Sequence, residues 1–188
     1  MRELSLNVLD IAQNSITANA SLITVEVIED TVLHTLSIDI IDNGKGMSEE
    51  QLLSVRDPFF TTRTTRKVGM GIPLFKLAAE QTGGRFSINS ALGKGTVVNA
   101  VFKTDSVDFT PLGDMTSTVI MLVTMNTDRD FVYRHTLDGN EFTFDTREIK
   151  QILGDVPLDS PEISAWLREY IDENITNLYG GADNNENT

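Results

Sequence analysis

Four short stretches of the chain hold residue types able to do chemistry. Asp10 and Asn14 stand four apart in a run with helical periodicity, so a carboxylate and a carboxamide share one helix face. "DNGKGM", residues 42–47, ends an alternating apolar run with an acid and two glycines. "DPFFTTRTTRKVGMGIPL" gathers Arg63, Arg66 and Lys67 within five residues and then places Gly69 and Gly71 before a helix. "GKGT", residues 93–96, sits in a further glycine turn. Backbone N–H groups at a glycine-led helix start can face phosphates, and a loop that must close over a triphosphate needs positive charge.

Each stretch also has a plainer account. Asp42 can bond its own backbone, as turn aspartates do. Gly44 and Gly46 can serve turn geometry alone, or let the chain pass where a side chain would collide with a ligand. Gly69 and Gly71 can be hinges, an exposed charge run is usually solvated, and Thr96 is an ordinary strand residue. The order and separation of the four stretches favour one site over four coincidences.

The elements that must position these residues follow from periodicity. Residues 3–19 predict a helix, with Leu6, Val8, Leu9, Ala12 and Ile16 forming its apolar stripe. Residues 22–29 and 34–42 alternate with period two and predict strands. "SEEQLLSV" opens with Ser48 and Gln51 at capping-box spacing. After a loop over 57–68, "GMGIPLFKLAAEQTGG" predicts a helix ended by glycine, and "RFSINS" with "TVVNAVFK" predicts a hairpin. The expected fold class is α+β, a two-layer sandwich with helices on one face of a mixed sheet. Beyond residue 104, "STVIMLVTM" reads as an apolar strand, and "DFVYRHT" with "EFTFDT" flanks "LDGN" as a hairpin. Residues 146–153 and 160–179 read as helices, the second started by Pro161 after Ser160. The polar stretch 180–188 has nothing to bury and is expected to fray.

Composition narrows the function. The 188 residues, 40% of them hydrophobic, can bury a core, and the absence of cysteine excludes disulfide scaffolds and thiolate metal sites. With only His34 and His135 present, a histidine-rich metal site is not expected, and both histidines read as structural. No apolar run has the length to span a bilayer, and the amino terminus turns polar too early for a signal peptide, so a cytoplasmic protein with no membrane partner is expected. Residues 1–104 hold 11 acids and 10 bases, whereas residues 105–188 hold 17 acids and 5 bases. The acidic half repels phosphate backbones, which argues against nucleic acid as a partner. The break in charge divides the chain into residues 1–104, an accessory α+β region over 105–179 (a hairpin and two helices) and the tail 180–188.

In this order and at these separations the four stretches resemble the GHKL superfamily of Bergerat-fold ATPases, over residues 3–103. "DIAQNSITANASLITVEV" resembles the mismatch-repair and topoisomerase form of the first motif. "DPFFTTR" and "TGGRFSINSALGKGT" resemble the sensor histidine-kinase form, so the chain stands nearest the histidine-kinase-like ATP-binding domains. The resemblance implies ATP and magnesium as ligands. It implies an ATP-binding set of Asn14, Asp42, Gly44, Gly46, Met47, Phe60, Arg63, Lys67, Gly69, Met70, Gly71 and Thr96. Within that set Asn14 gives its oxygen to the magnesium, Asp42 accepts from the adenine amino group, and Thr96 reaches the adenine pocket. Phe59 and Phe60 are expected to pack and anchor the loop. Asp10 stands at the position of the superfamily's general base.

The pattern departs from the superfamily at several positions. Hydrolysing members carry Glu where this chain has Asp10, and aspartate is one methylene shorter, so Asp10 is either a base or a cap on the pocket. Thr17 stands where the mismatch-repair form has Asp, and Pro73 replaces a glycine of the kinase glycine run. The motifs begin at residue 10, so the phospho-accepting histidine hairpin of a sensor kinase is not expected ahead of them. Three functions stay open at this point. One is a stand-alone Mg-ATP-binding ATPase module that regulates a partner protein through lid closure. Another is a protein kinase acting in trans, as anti-sigma kinases do. The third is a non-catalytic module that senses nucleotide. A resemblance to short chains beside iron-only hydrogenase subunits suggests a redox enzyme as the regulatory partner, and the superfamily resemblance implies a homodimer. Trp166, Leu167, Tyr170 and Ile171 form an apolar stripe expected to pack the accessory region, with a partner surface as the alternative.

Overall fold

Period-two alternation builds the centre of the sheet. In the computed structural model, which describes residues 3–57 and 70–183, β1 (Leu22–Asp30) and β2 (Thr35–Asp42) pair antiparallel. They bury Ile23, Val25, Val27, Leu36, Ile38 and Ile40 on one face. β3 (Arg85–Ala91) and β4 (Gly95–Lys103) form the expected hairpin, and β4 pairs antiparallel with β2. α1 (Leu4–Thr17) and α3 (Gly71–Gln81) cover the apolar face, α3 setting Phe75 against Phe86 and Phe102. The buried stripe of α1 is Leu4, Val8, Ile11, Ala12 and Ser15, whereas Leu6, assigned to it from spacing, is 44% exposed. α2 (Glu49–Arg56) starts at the Ser48–Gln51 capping box, with both reciprocal bonds made.

One expectation fails. "STVIMLVTM" is not a strand but most of α4 (Met115–Met125). Asp114 caps it by accepting a 2.8 Å hydrogen bond from Ser117 N. The segment is buried on several sides at once, through Met115, Val119, Ile120, Leu122 and Val123, so no alternation or stripe marks its type.

α4 crosses the helix face and delivers β5 (Asp130–Leu137) parallel to β1, with Leu22 opposite Asp130 and Glu29 opposite Leu137. β6 (Asn140–Asp145) folds back through Asp138 and Gly139, both at positive φ. The result is a six-stranded mixed sheet, β3-β4-β2-β1-β5-β6, continuous across the charge break near residue 104. α5 (Thr146–Leu153) and α6 (Pro161–Asp183) follow, so among the described residues the region beyond residue 104 holds three helices and the hairpin, not the two helices expected. α6 buries Leu167 and Ile171 in the common core, while Trp166 stacks on Tyr170, which meets Phe142. Of the stripe expected to pack the accessory region, Leu167 and Ile171 are buried and Tyr170 partly so, whereas Trp166 is 41% exposed. α6 continues past the expected end at residue 179 to Asp183, and residues 184–188 lie outside the described part. His135 is 2% exposed and fixed by Tyr133 Oη at 2.7 Å and Glu29 Oε1 at 2.6 Å. Among the described residues, no helix is long and apolar enough to cross a membrane.

Candidate nucleotide site

The alternation that buries Leu36, Ile38 and Ile40 also turns Asp42, the last residue of β2, toward the helix layer. Asp42 as a whole is 9% exposed. Oδ2 accepts a 2.6 Å hydrogen bond from Ser15 Oγ on α1, and Oδ1 accepts a 2.8 Å bond from Gly44 N. Each carboxylate oxygen offers about two acceptor sites, so the group keeps capacity for a further donor.

The strand register places two hydroxyls beside it. Thr96 of β4 is the partner of Asp42, and Ser90 of β3 is the partner of Thr96. Ser90 Oγ accepts from Met47 N at 2.9 Å, donates to Gly95 O at 2.9 Å and lies 2.9 Å from Thr96 Oγ1. With the Ser90 proton committed to Gly95, the Thr96 hydroxyl donates to Ser90 and keeps acceptor capacity only. The glycine turn between these strands is held by the chain itself. Gly46 has φ +68°, and a Cβ there would lie 1.9 Å from Ala91 O. A Cβ on Gly44 would lie 2.8 Å from Ala18 O. Both positions thus need glycine before any ligand is considered.

Asp10 and Asn14 are exposed on α1, one turn apart, while Ser15 points inward to Asp42. Gly71 is the first residue of α3 and abuts Asp10; a Cβ at Gly71 would stand 3.0 Å from Asp10 Cβ. Met70 occupies the N-cap of α3, 58% exposed, and its side chain makes no capping bond. Among the described residues, no side chain caps the first N–H groups of α3, which stand beside the acid on α1. Met47 is half-buried against the core.

The structure thus brings Asp42, Gly44, Gly46, Met47 and Thr96 together at one end of the sheet. Asp10, Asn14, Met70 and Gly71 gather where α1 meets the start of α3. Phe60, Arg63, Lys67 and Gly69, with Phe59 and Arg66, lie outside the described residues. Two residues that bond to members of the candidate site escaped the sequence reading, Ser15 and Ser90. Each had a signal: a serine at a buried position of a helical stripe, and a serine at the inward position of a strand after Phe86 and Ile88.

The family model described as histidine kinase-, DNA gyrase B-, and HSP90-like ATPase matches residues 1–106. The C4-dicarboxylate transport sensor protein DctB of Pseudomonas aeruginosa is 38% identical over 66 residues, 35% of this chain and 11% of its own. Sporulation kinase B of Bacillus subtilis is 33% identical over 72 residues, 38% of this chain and 17% of its own. The chain thus spans only a small fraction of these curated relatives. Among solved structures, the N-terminal domain of a DNA repair protein superposes with a TM-score of 0.53 at 16% identity, over 76% of this chain and 52% of that one. The Aquifex aeolicus MutL ATPase domain complexed with ADP superposes with a TM-score of 0.50 at 14% identity, over 81% and 69%. At these identities the two superpositions carry the fold alone.

Proposed function

Because the chain belongs to the histidine kinase-, DNA gyrase B-, and HSP90-like ATPase family, we propose that it is a Mg-ATP-binding module that regulates a partner protein in the cytoplasm. The observation that carries this is the Asp42 carboxylate. It is buried at a strand end, aimed by Ser15 and Gly44, and retains acceptor capacity toward the helix layer. A carboxylate so placed matches the exocyclic amino group of adenine, and Thr96 adds an acceptor beside it. The MutL domain of Aquifex aeolicus, with the same fold, was solved with ADP.

The remaining groups fit the other end of the nucleotide. The start of α3, without a side-chain cap among the described residues, offers N–H groups to phosphate oxygens. Asn14 is exposed and presents a carboxamide oxygen, a ligand type that magnesium accepts alongside phosphates. Magnesium, when bound, neutralises phosphate charge. Asp10, one turn before Asn14, is the candidate base for water or for a partner's hydroxyl. Phosphoryl transfer to a partner is the second reading, favoured by the identity to sporulation kinase B and to the sensor protein.

The test is steady-state phosphate release from Mg-ATP, run beside a binding titration, with an Asn14→Ala control. Turnover that disappears in the control supports an ATPase. Binding without turnover redirects the search to a labelled partner. Absence of ATP binding overturns the assignment of the pocket.

A further inference from the structure

The adenine loop is held from behind by one turn of chain, and that turn is held in its own right by the C-terminal region. On the loop side, Lys45 N donates to Ala18 O at 2.9 Å. Asn43 Oδ1 accepts from Ser21 N at 2.9 Å and Leu22 N at 3.0 Å, and Asn43 Nδ2 donates to Ser21 Oγ at 2.9 Å. The turn between α1 and β1 is therefore the template on which residues 42–46 are laid. Asn19 takes φ +58° within it, so the turn is not a conformation the chain adopts at no cost.

On the opposite side, the Arg129 guanidinium spans the end of α1. Nη1 donates to Ala20 O at 2.7 Å and to Ile16 O at 3.3 Å, and the next residue's backbone, Asp130 N, donates to Ser21 O at 2.9 Å. A cation on the last carbonyls of a helix is well placed against the helix dipole. Arg129 Nε is buried and makes no hydrogen bond among the described residues, and it lies 3.7 Å from Asp128 Oδ2, an ion pair within its own turn. Arg129 is anchored in turn by α5. Lys150 Nζ donates to Arg129 O at 2.7 Å and to Asp130 Oδ1 at 2.8 Å, and Thr146 Oγ1 accepts from Phe131 N at 2.8 Å.

We propose that Arg129 is a positioning residue for the nucleotide pocket, through which the C-terminal region sets the shape of the adenine loop. This rests on the assignment of that loop to adenine. The path is short and contiguous: α5 fixes Arg129, Arg129 fixes the 16–21 turn, and the turn fixes Asn43 and Lys45 on either side of Gly44. A partner that moves α5 or the start of β5 alters base recognition without touching the nucleotide. The region beyond residue 104 is then part of the pocket's frame.

The experiment compares the full chain with Arg129→Ala and Arg129→Lys in two measurements. Amide exchange by NMR is read without nucleotide at Ser21, Leu22 and Lys45, with the Phe86–Ala100 register of β3 and β4 as the internal control. ATP and GTP affinities are then titrated in parallel. Arg129→Ala is expected to speed exchange at the three amides at least about tenfold relative to the control. It should weaken ATP about 5- to 20-fold, the lower part of the usual range of coupling between sites, with a smaller effect on GTP. Arg129→Lys, which keeps one donor for Ala20 O, should recover part of both effects. Exchange that rises equally at the control register, or ATP and GTP affinities that fall together, would mean a merely structural arginine and overturn the proposal. Unchanged exchange at Lys45 overturns it whatever the nucleotides do. Failure of the unaltered protein to bind ATP is a separate outcome. It removes the proposed function and this proposal's role in it, even where the exchange pattern is as expected. If Arg129→Ala does not fold, the lysine variant alone decides between the same outcomes.

Discussion

Ser15 Oγ, on α1, donates a 2.6 Å hydrogen bond to Oδ2 of Asp42, at the end of β2, with both side chains buried. The acid at the base of the pocket is thus aimed by a helix 27 residues earlier in the chain, and not only by its own turn. Removing the donor leaves a buried carboxylate short of one partner, which costs about 1–3 kcal/mol. Ser15→Ala is expected to lower stability by about that amount in urea denaturation. It should weaken ATP about tenfold, equivalent to about 1.4 kcal/mol, in calorimetric titration. A variant that loses stability but binds ATP as before would show that Ser15 serves the core and not the site.

Gly46 and Gly93 allow strain and collision to be separated. Both have positive φ, +68° and +73°, but a Cβ at Gly46 would lie 1.9 Å from Ala91 O, whereas one at Gly93 meets nothing within 4 Å. Gly93→Ala should cost only the left-handed backbone penalty, about 1–2 kcal/mol. Gly46→Ala adds a collision with backbone and should cost at least about twice as much while abolishing ATP binding. Equal losses in chemical denaturation would show that the β3–β4 turn gives way.

The strand-end turn of the candidate site was legible because turn chemistry is local: Asp42, Gly44 and Gly46 lie within five residues, and the strand before them alternates cleanly. The sandwich was legible for the same reason, through the two hairpins and the helices flanked by glycine or capped by serine. What the sequence did not reveal is non-local or aperiodic. α4 is apolar nearly all round, and its apolar core run is short enough to fit a buried strand as well as a helix. The parallel pairing of β5 with β1 depends on a crossover that no local pattern encodes. Arg129 reads in sequence as one more charge in a polar turn, and its meaning comes only from the carbonyls of Ile16 and Ala20.

The acidic C-terminal region sets a pH limit on stability. Asp145 caps α5 through Arg147 N at 2.9 Å, and its carboxyl is held below the ordinary value, chiefly by the side-chain hydrogen bond from Arg147. A carboxyl lowered on folding contributes stability above its unfolded pKa of about 3.9, and loses it as pH falls through the folded value. Asp145→Ala should therefore cost about 1 kcal/mol near neutrality, the worth of a cap. The gap should close as pH falls through the lowered folded value, where the unaltered protein loses the Asp145 charge that the variant never had. A gap that persists in acid would assign the effect to packing.

Asp10 and Asn14 lie one turn apart on the exposed face of α1, so substitutions there should leave folding within about 0.5 kcal/mol and act on chemistry. Asn14→Ala is expected to abolish the magnesium dependence of ATP binding while adenosine binding persists. Asp10→Asn is expected to keep binding and lose about 10²–10⁴ of any phosphate release or transfer, the usual weight of a general base. Asp10→Glu separates a working base from an idle one. Asp10 is exposed, so the longer side chain can extend toward solvent, while Gly71 packs closely on the Asp10 stem. If the short carboxylate limits the reaction by its distance, the extra methylene should raise turnover by up to about 10²-fold, the scale of a 1 Å correction. Turnover that falls in Asp10→Glu as it does in Asp10→Asn would show that aspartate is already the fitted base. Indifference to both Asp10 changes would make Asp10 a cap on the pocket, and the protein a nucleotide sensor.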